Sequence, residues 1–182
     1  MLGNQAVMRL NLIIYILTGF ALISCHNNKG TGTKTNLTQD QVTEKLLEGN
    51  KAAIEFENEQ INKFILLNNW NMSETGTGLR YQIIEKGKGI KTSVGKRVQF
   101  EYEVKLLGGE VIYSSEKTGL KEFALGSGGV ESGLEEGMLL LNVGDKARFI
   151  IPSYLAHGLS GDQDQIPAKS TLIYTVKLID LK

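Results

Sequence analysis

Apolar residues beyond residue 37 first recur at helical spacing. Between Val42 and Leu67 they are separated mostly by three, four or seven positions, which is typical of an amphipathic helix. Thr38 and Gln41 have capping-box spacing, so this helical segment, residues 37–72, is predicted to begin near Thr38. Gly49-Asn50 is a candidate break that would divide the run into two helices. The apolar stripe must be buried either on its own domain or on a second copy of the chain, and both readings stay open.

From Leu79 onward the pattern changes to alternation of apolar and polar residues, which is typical of half-buried strands. The predicted strands are 79–84, 98–104, 111–113, 123–125, 146–151 and 171–181. One short helix is predicted from Ser132 through Leu141, because Ser132 and Glu135 again have capping-box spacing. Antiparallel strands with one helix predict an α+β domain over residues 79–182, in which a curved antiparallel sheet wraps around that helix.

The N-terminal segment is predicted to be a targeting signal. Residues 10–23 form an apolar run after Arg9, and as a helix they would reach only about 21 Å of a hydrocarbon core of roughly 30 Å. Residues 1–24 therefore fit a signal peptide, with Met1 or Met8 as its start. Cys25 follows in the string Leu-Ile-Ser-Cys, which resembles a bacterial lipobox, so Cys25 is the expected lipid attachment site. Residues 25–36 are a polar, flexible tether, and we expect an outer-membrane protein, anchored by lipid, that faces the periplasm.

Composition excludes several other classes of protein. The chain has 20 basic and 20 acidic residues in 182, and zero net charge argues against a nucleic-acid binder. One cysteine excludes a disulfide framework, and two histidines leave little for a histidine-rich metal site. The carboxylates of Asp162 and Asp164 are expected to be solvated in a loop, and Glu55 to Gln60 is expected to be a solvated helix face.

The segment from Val98 to Lys182 resembles the FKBP type of peptidyl-prolyl cis/trans isomerase. The matching pieces are Tyr102, Ser114-Ser115, 123–126, 130–138, 143–146, 151–158, Ile166-Pro167 and 171–178. With its helical segment and lipobox, the chain is similar to the lipoprotein branch of the family, including members associated with gliding motility. The resemblance implies a prolyl isomerase that assists the folding of envelope proteins, with proline-containing polypeptides as clients.

The resemblance also implies a site without a nucleophile, a metal or a cofactor. Its expected catalytic residues are Tyr102, Tyr113, His157 and Tyr174. Its expected substrate-binding residues are Ile112, Phe123, Val130, Glu131, Leu134 and Ile166. The backbone N–H of Glu131 would hold a substrate carbonyl, and the aromatic and branched side chains would surround the proline ring.

Four positions depart from the family pattern. Leu134 stands in place of a tryptophan, Ile112 in place of an aromatic residue, Tyr113 in place of an aspartate and His157 in place of a tyrosine. The alternative function is therefore an FKBP-like chaperone or partner-binding module with weak or no turnover. A homodimer formed through the N-terminal helices is the possible assembly.

Overall fold

The computed structural model describes residues 38–182. The chain divides into two compact units, residues 1–42 and 43–182. Of the first unit, the structure describes only the start of a helix, and every strand that it describes belongs to the second unit. The predicted signal peptide, the lipid site at Cys25 and the tether lie outside the described residues.

Helix α1, Gln39–Leu67, is one continuous helix of 29 residues. The Thr38 N–H donates to Gln41 Oε1 at 3.0 Å, and the Gln41 N–H donates to Thr38 Oγ1 at 3.4 Å, so the predicted capping box is confirmed. The predicted division at Gly49-Asn50 is wrong. A glycine inside a helix costs only about 1 kcal/mol. The helical turns on both sides of Gly49 outweigh this cost. Within residues 38–182, no helix is both long enough and apolar enough to cross a membrane.

One antiparallel sheet forms the body of the second unit, and this confirms the predicted α+β class. Its strands follow the order β1-β2-β6-β7-β3-β4, with β5 also paired to β3. The strands are β1 (Ser73–Glu74), β2 (Arg80–Glu85), β3 (Arg97–Leu106), β4 (Val111–Ser114), β5 (Lys121–Ala124), β6 (Lys146–Ile151) and β7 (Leu172–Leu181). A short helix α2 (Ser115–Thr118) links β4 to β5, and a 3-10 turn (Ser153–Leu155) follows β6.

Helix α3, Ser132–Met138, packs on one face of this sheet. A Cβ on Gly133 would lie 2.4 Å from Ile151 Cγ2, and one on Gly137 would lie 2.9 Å from the Phe149 ring. Both glycines therefore allow the helix to approach β6 closely. The helix ends three residues before the predicted Leu141, because the N–H groups of Leu140 and Leu141 bond three residues back, as in a tighter turn. Its N-cap is Glu131, not Ser132, and it makes no side-chain cap.

The C-terminal half of α1 packs on the opposite face of the sheet. Ile61 is completely buried against Ile150 of β6 and Ile173 of β7. The Arg148 guanidinium stacks over the Trp70 ring at 3.7 Å and closes the edge of this cluster. For this half of the helix, the interpretation that the stripe buries on its own domain is confirmed.

Glu57 also joins α1 to the sheet domain. Its carboxylate accepts hydrogen bonds from the Ser153 N–H at 2.7 Å, from Ser153 Oγ at 2.9 Å and from Thr171 Oγ1 at 2.5 Å. Asn58 beside it accepts a bond from buried Arg80 at 3.1 Å. The expectation of a solvated face from Glu55 to Gln60 is therefore wrong at these two positions.

Candidate active site

A cavity of about 510 Å³ opens at the end of the sheet where the loop before α3 meets the loop after the 3-10 turn. It combines apolar, aromatic and charged side chains. The lining residues are Tyr113, Lys121, Gly129, Val130, Glu131, Ala156, His157, Asp162, Ile166 and Tyr174. Six of the ten residues expected at the isomerase site are among them.

The other four expected site residues do not line this cavity. Ile112, Phe123 and Leu134 are at most 8% exposed, and Tyr102 is 4% exposed. All four belong to the same buried cluster as Ile166 and Tyr174, so they support the cavity through packing. The Tyr102 hydroxyl lies 2.6 Å from Thr118 Oγ1, in helix α2.

Lys121 lines the cavity where an aromatic side chain of β5 was expected. Lys121 and Phe123 are two residues apart on the same face of β5, and Phe123 is the one that enters the core. The Lys121 Nζ lies 4.8 Å from the centroid of the Tyr102 ring, a cation–π contact. A strand pattern alone cannot tell which of two same-face residues reaches a cavity, so sequence reasoning missed Lys121.

Glu131 holds two of the expected site residues together. Its Oε1 lies 2.7 Å from the Tyr174 hydroxyl and 3.0 Å from His157 Nε2. Burial, followed by the neighbouring Glu131 carboxylate, raises the pKa of Tyr174 well above its usual value. Tyr174 therefore stays a neutral hydroxyl donor, and the three side chains form one connected wall of the cavity.

Tyr113 and Asp162 form a second polar contact of the site, separate from that of Glu131. The Tyr113 hydroxyl bonds to Asp162 Oδ2 and lies 3.2 Å from Asp164 Oδ2. Asp162 Oδ1 also accepts the N–H of Asp164 at 3.0 Å and of Ile166 at 2.7 Å. The expectation that Asp162 is merely solvated is therefore wrong, because it links the loop that carries Ile166 to β4.

These bonds determine how Asp162 titrates. Although burial raises the pKa of Asp162, the hydrogen bonds from Tyr113 and from the two backbone N–H groups outweigh it and lower that pKa to about 2. The hydrogen bond to Asp162, followed by burial and by the hydrogen bond to Asp164, raises the pKa of Tyr113. The ionised carboxylate is thus the form that the folded loop favours.

We expect acid to weaken the wild-type protein partly through Asp162. A carboxyl with a lower pKa in the folded state contributes stability above its unfolded pKa, and this contribution is lost as the pH falls from about 4 toward 2. Asp162→Asn should therefore destabilise the protein at neutral pH and flatten the decline over that window. Urea unfolding of both proteins at pH 7, 4 and 3 measures this, and a constant difference between them at all three values would contradict it.

The Glu131 backbone offers a further contact for a ligand. Its N–H makes no hydrogen bond with another residue of the described range 38–182, and the residue borders the cavity. A free N–H beside an apolar wall can bind a carbonyl oxygen that enters with a peptide. The arrangement thus suits a peptide backbone with an apolar ring, and it supplies no activated nucleophile.

Comparison with known proteins agrees with this geometry. Residues 88–179 match the family model of the FKBP-type peptidyl-prolyl cis-trans isomerases. The chain belongs to this family. The matched segment contains every residue that lines the cavity, and the protein is an FKBP-type prolyl isomerase.

Relatives of this FKBP-type isomerase are matched over different shares of their own length. FK506-binding protein 1 of Dictyostelium discoideum is 35% identical over 106 residues, which are 58% of this chain and 99% of that protein. The probable isomerase FkpA of Neisseria meningitidis is 38% identical over 108 residues, or 59% of this chain and 39% of that one. The crystal structure of FkpA from Escherichia coli superposes with a TM-score of 0.62 at 26% identity and covers 96% of this chain and 82% of that chain.

Proposed function

We propose that this isomerase acts on proline-containing polypeptides of the bacterial envelope and assists their folding. The observation that carries the proposal is the cavity in which Val130, Ile166 and Tyr174 provide apolar surface next to the free N–H of Glu131. A lineshape NMR measurement of cis/trans exchange in a short proline peptide tests the site. Catalysed refolding of a proline-limited envelope protein tests the role.

The proposed mechanism needs only the chain's own residues. The X–Pro amide is planar because of resonance, and the barrier to rotation is roughly 18–20 kcal/mol. Twisting the bond removes the resonance and makes the amide less dipolar, so an apolar pocket disfavours the planar form more than the twisted one. We assign the apolar contact to Val130, Ile166 and Tyr174, and the anchoring of a substrate carbonyl to the Glu131 N–H.

The remaining expected residues have positioning roles in this proposal. Tyr113 orders the loop of Ile166 through Asp162, and His157 fixes the Glu131 side chain. Tyr102, Ile112, Phe123 and Leu134 pack behind the cavity wall.

A partner-binding module is the second candidate function. The observation that favours it is the number of charged groups in the cavity, because Lys121, Glu131 and Asp162 all line it. Binding without turnover predicts that proline peptides shift the NMR signals of the cavity residues while the exchange rate of the peptide stays at background. Measurable exchange above background favours the isomerase.

We further propose that a lipid on Cys25 anchors the protein to the outer membrane, facing the periplasm. The support is the position of the only cysteine of the chain, directly after an apolar run. Cys25→Ser is expected to move the protein from the detergent phase to the soluble periplasmic fraction. Ser24→Ala, which keeps the thiol, is the matched control, and equal partitioning of wild type and Cys25→Ser would contradict the anchor.

We propose that a second copy of the chain binds to α1. The support is the set of apolar residues that this helix leaves exposed, with Leu46 and Leu47 at 63% and 65% and Ile54 at 41%. Sedimentation is expected to report a dimer for the wild type and a monomer for the double variant Leu46→Glu, Leu47→Glu. A wild-type monomer at micromolar concentration would remove the proposal.

A further inference from the structure

One of the two oxygens of the Glu131 carboxylate accepts no hydrogen bond from the described residues. A carboxylate can only accept hydrogen bonds, so the Tyr174 hydroxyl and His157 Nε2 are the donors, and both donate to Oε1. Within the described residues, Oε2 has no hydrogen-bond partner. The side chain is only 11% exposed and borders the cavity that a substrate would enter.

The position of this oxygen is fixed before any ligand arrives. Tyr174 is 1% exposed and lies within β7, so the stronger of the two bonds comes from a rigid element. The best partner for this oxygen is a cationic N–H group, since charge-assisted hydrogen bonds are the strongest. The geometry therefore suits an ammonium or a guanidinium group.

The other charged groups of the cavity do not remove this preference for an ammonium or a guanidinium group. Asp162 adds a second negative charge, but its two oxygens already accept bonds from Tyr113 and from two backbone N–H groups. Among residues 38–182, Lys121 is the one lysine or arginine that lines the cavity, and its ammonium group lies over the Tyr102 ring. Two carboxylates against one ammonium group favour a basic ligand, and of these two carboxylates only that of Glu131 has an oxygen without a hydrogen-bond partner among the described residues.

We propose that Glu131 selects client segments in which a lysine or an arginine directly adjoins the proline, with the cation bound at Oε2. The inference rests on the proposed isomerase site. In that site the backbone N–H of Glu131 binds the substrate carbonyl, and the Glu131 side chain binds the client residue next to the proline. Glu131 thus becomes a specificity-determining residue as well as a backbone contact.

Two series of blocked tetrapeptides test this selectivity with the purified full-length protein. One series is Ala-Xaa-Pro-Ala and the other is Ala-Ala-Pro-Xaa, where Xaa is lysine, norleucine or glutamate. Norleucine has the lysine chain without its charge, so the comparison isolates the ammonium group. NMR exchange measures the catalysed rate for each peptide without a coupled protease.

We expect the lysine peptide of at least one series to be isomerised at least about tenfold more efficiently than the glutamate peptide, with norleucine between them. Glu131→Gln keeps an acceptor for Tyr174 and His157 but removes the charge, so this ratio should fall to about twofold or less. Glu110→Gln removes an equal charge from the exposed turn before β4 and should keep the wild-type ratio.

The outcomes separate this inference from the function on which it rests. Catalysis by the wild type with no preference for lysine in either series overturns the selectivity and leaves the isomerase intact. A preference that survives in Glu131→Gln also overturns it, because another group would then bind the cation. Failure of the wild type to catalyse exchange in any peptide overturns the proposed site and the selectivity together.

Discussion

Ile166→Asp is expected to abolish isomerase activity, lowering kcat/KM at least about a hundredfold. Ile166 lines the cavity and is only 4% exposed, so the new carboxylate would stand where the proline ring binds. An unpaired charge in such a place costs several kcal/mol, and each 1.4 kcal/mol corresponds to about a factor of ten in rate. The nearby Asp162 carboxylate would add repulsion. NMR exchange in a proline peptide measures the loss.

Two further variants serve as controls for this experiment. Ile90→Asp adds the same charge at a residue that is 68% exposed and outside the cavity, and it should retain wild-type activity. Ile166→Ala keeps the site neutral and should show an intermediate loss if Ile166→Asp fails to fold, as judged by circular dichroism. Full activity in a folded Ile166→Asp protein would exclude Ile166 from the proline site.

The sheet could be predicted from sequence because alternation is a local property. In β3, Val98, Phe100, Tyr102 and Val104 are buried and their neighbours are not, so the period of two is visible without any tertiary information. Strand β6 has the predicted bounds, since Pro152 follows its last residue and cannot donate to the ladder. The predicted end of α3 is less accurate, because Leu140 and Leu141 form a tighter turn that the apolar pattern does not distinguish from the helix.

The candidate site was harder to predict because it depends on pairs of residues far apart in sequence. Glu131 and Tyr174 are 43 positions apart, and no local sequence pattern predicts the 2.7 Å hydrogen bond between them. The resemblance to the isomerase family supplied the positions but not the contacts of the side chains that differ. The Glu57 carboxylate is a similar case, since its partners lie 96 and 114 residues away.

Tyr113 shows how a departure from the family pattern is accommodated. The resemblance to the family implies an aspartate at this position, and Tyr113 does not supply its carboxylate. In the structure, the tyrosine hydroxyl bonds to Asp162, which in turn accepts the N–H of Ile166 at 2.7 Å. The carboxylate that orders the site therefore comes from the opposite loop, and Tyr113→Asp would bring like charges together there.

The docking of α1 on the sheet domain leads to the second large effect. Ile61→Ala is expected to destabilise the protein by about 2–5 kcal/mol, since Ile61 is completely buried between β6, β7 and Trp70, and truncation would leave a cavity. Ile90→Ala removes the same atoms from a residue that is 68% exposed and lies outside α1, so it should cost less than about 1 kcal/mol.

Urea unfolding measures both variants through the single tryptophan. Trp70 belongs to the cluster around Ile61, and its ring lies 5.2 Å from that of Phe64, so its fluorescence reports directly on this packing. In the wild type, the unfolding transition of the sheet seen by circular dichroism should coincide with the transition seen by fluorescence. The reason is that Glu57 links the helix to Ser153 and Thr171 by hydrogen bonds. In Ile61→Ala both midpoints should move to lower urea. Midpoints for Ile61→Ala and Ile90→Ala that both equal that of the wild type would mean that the helix adds nothing to the stability of the sheet, and the isomerase domain would then close its core without it.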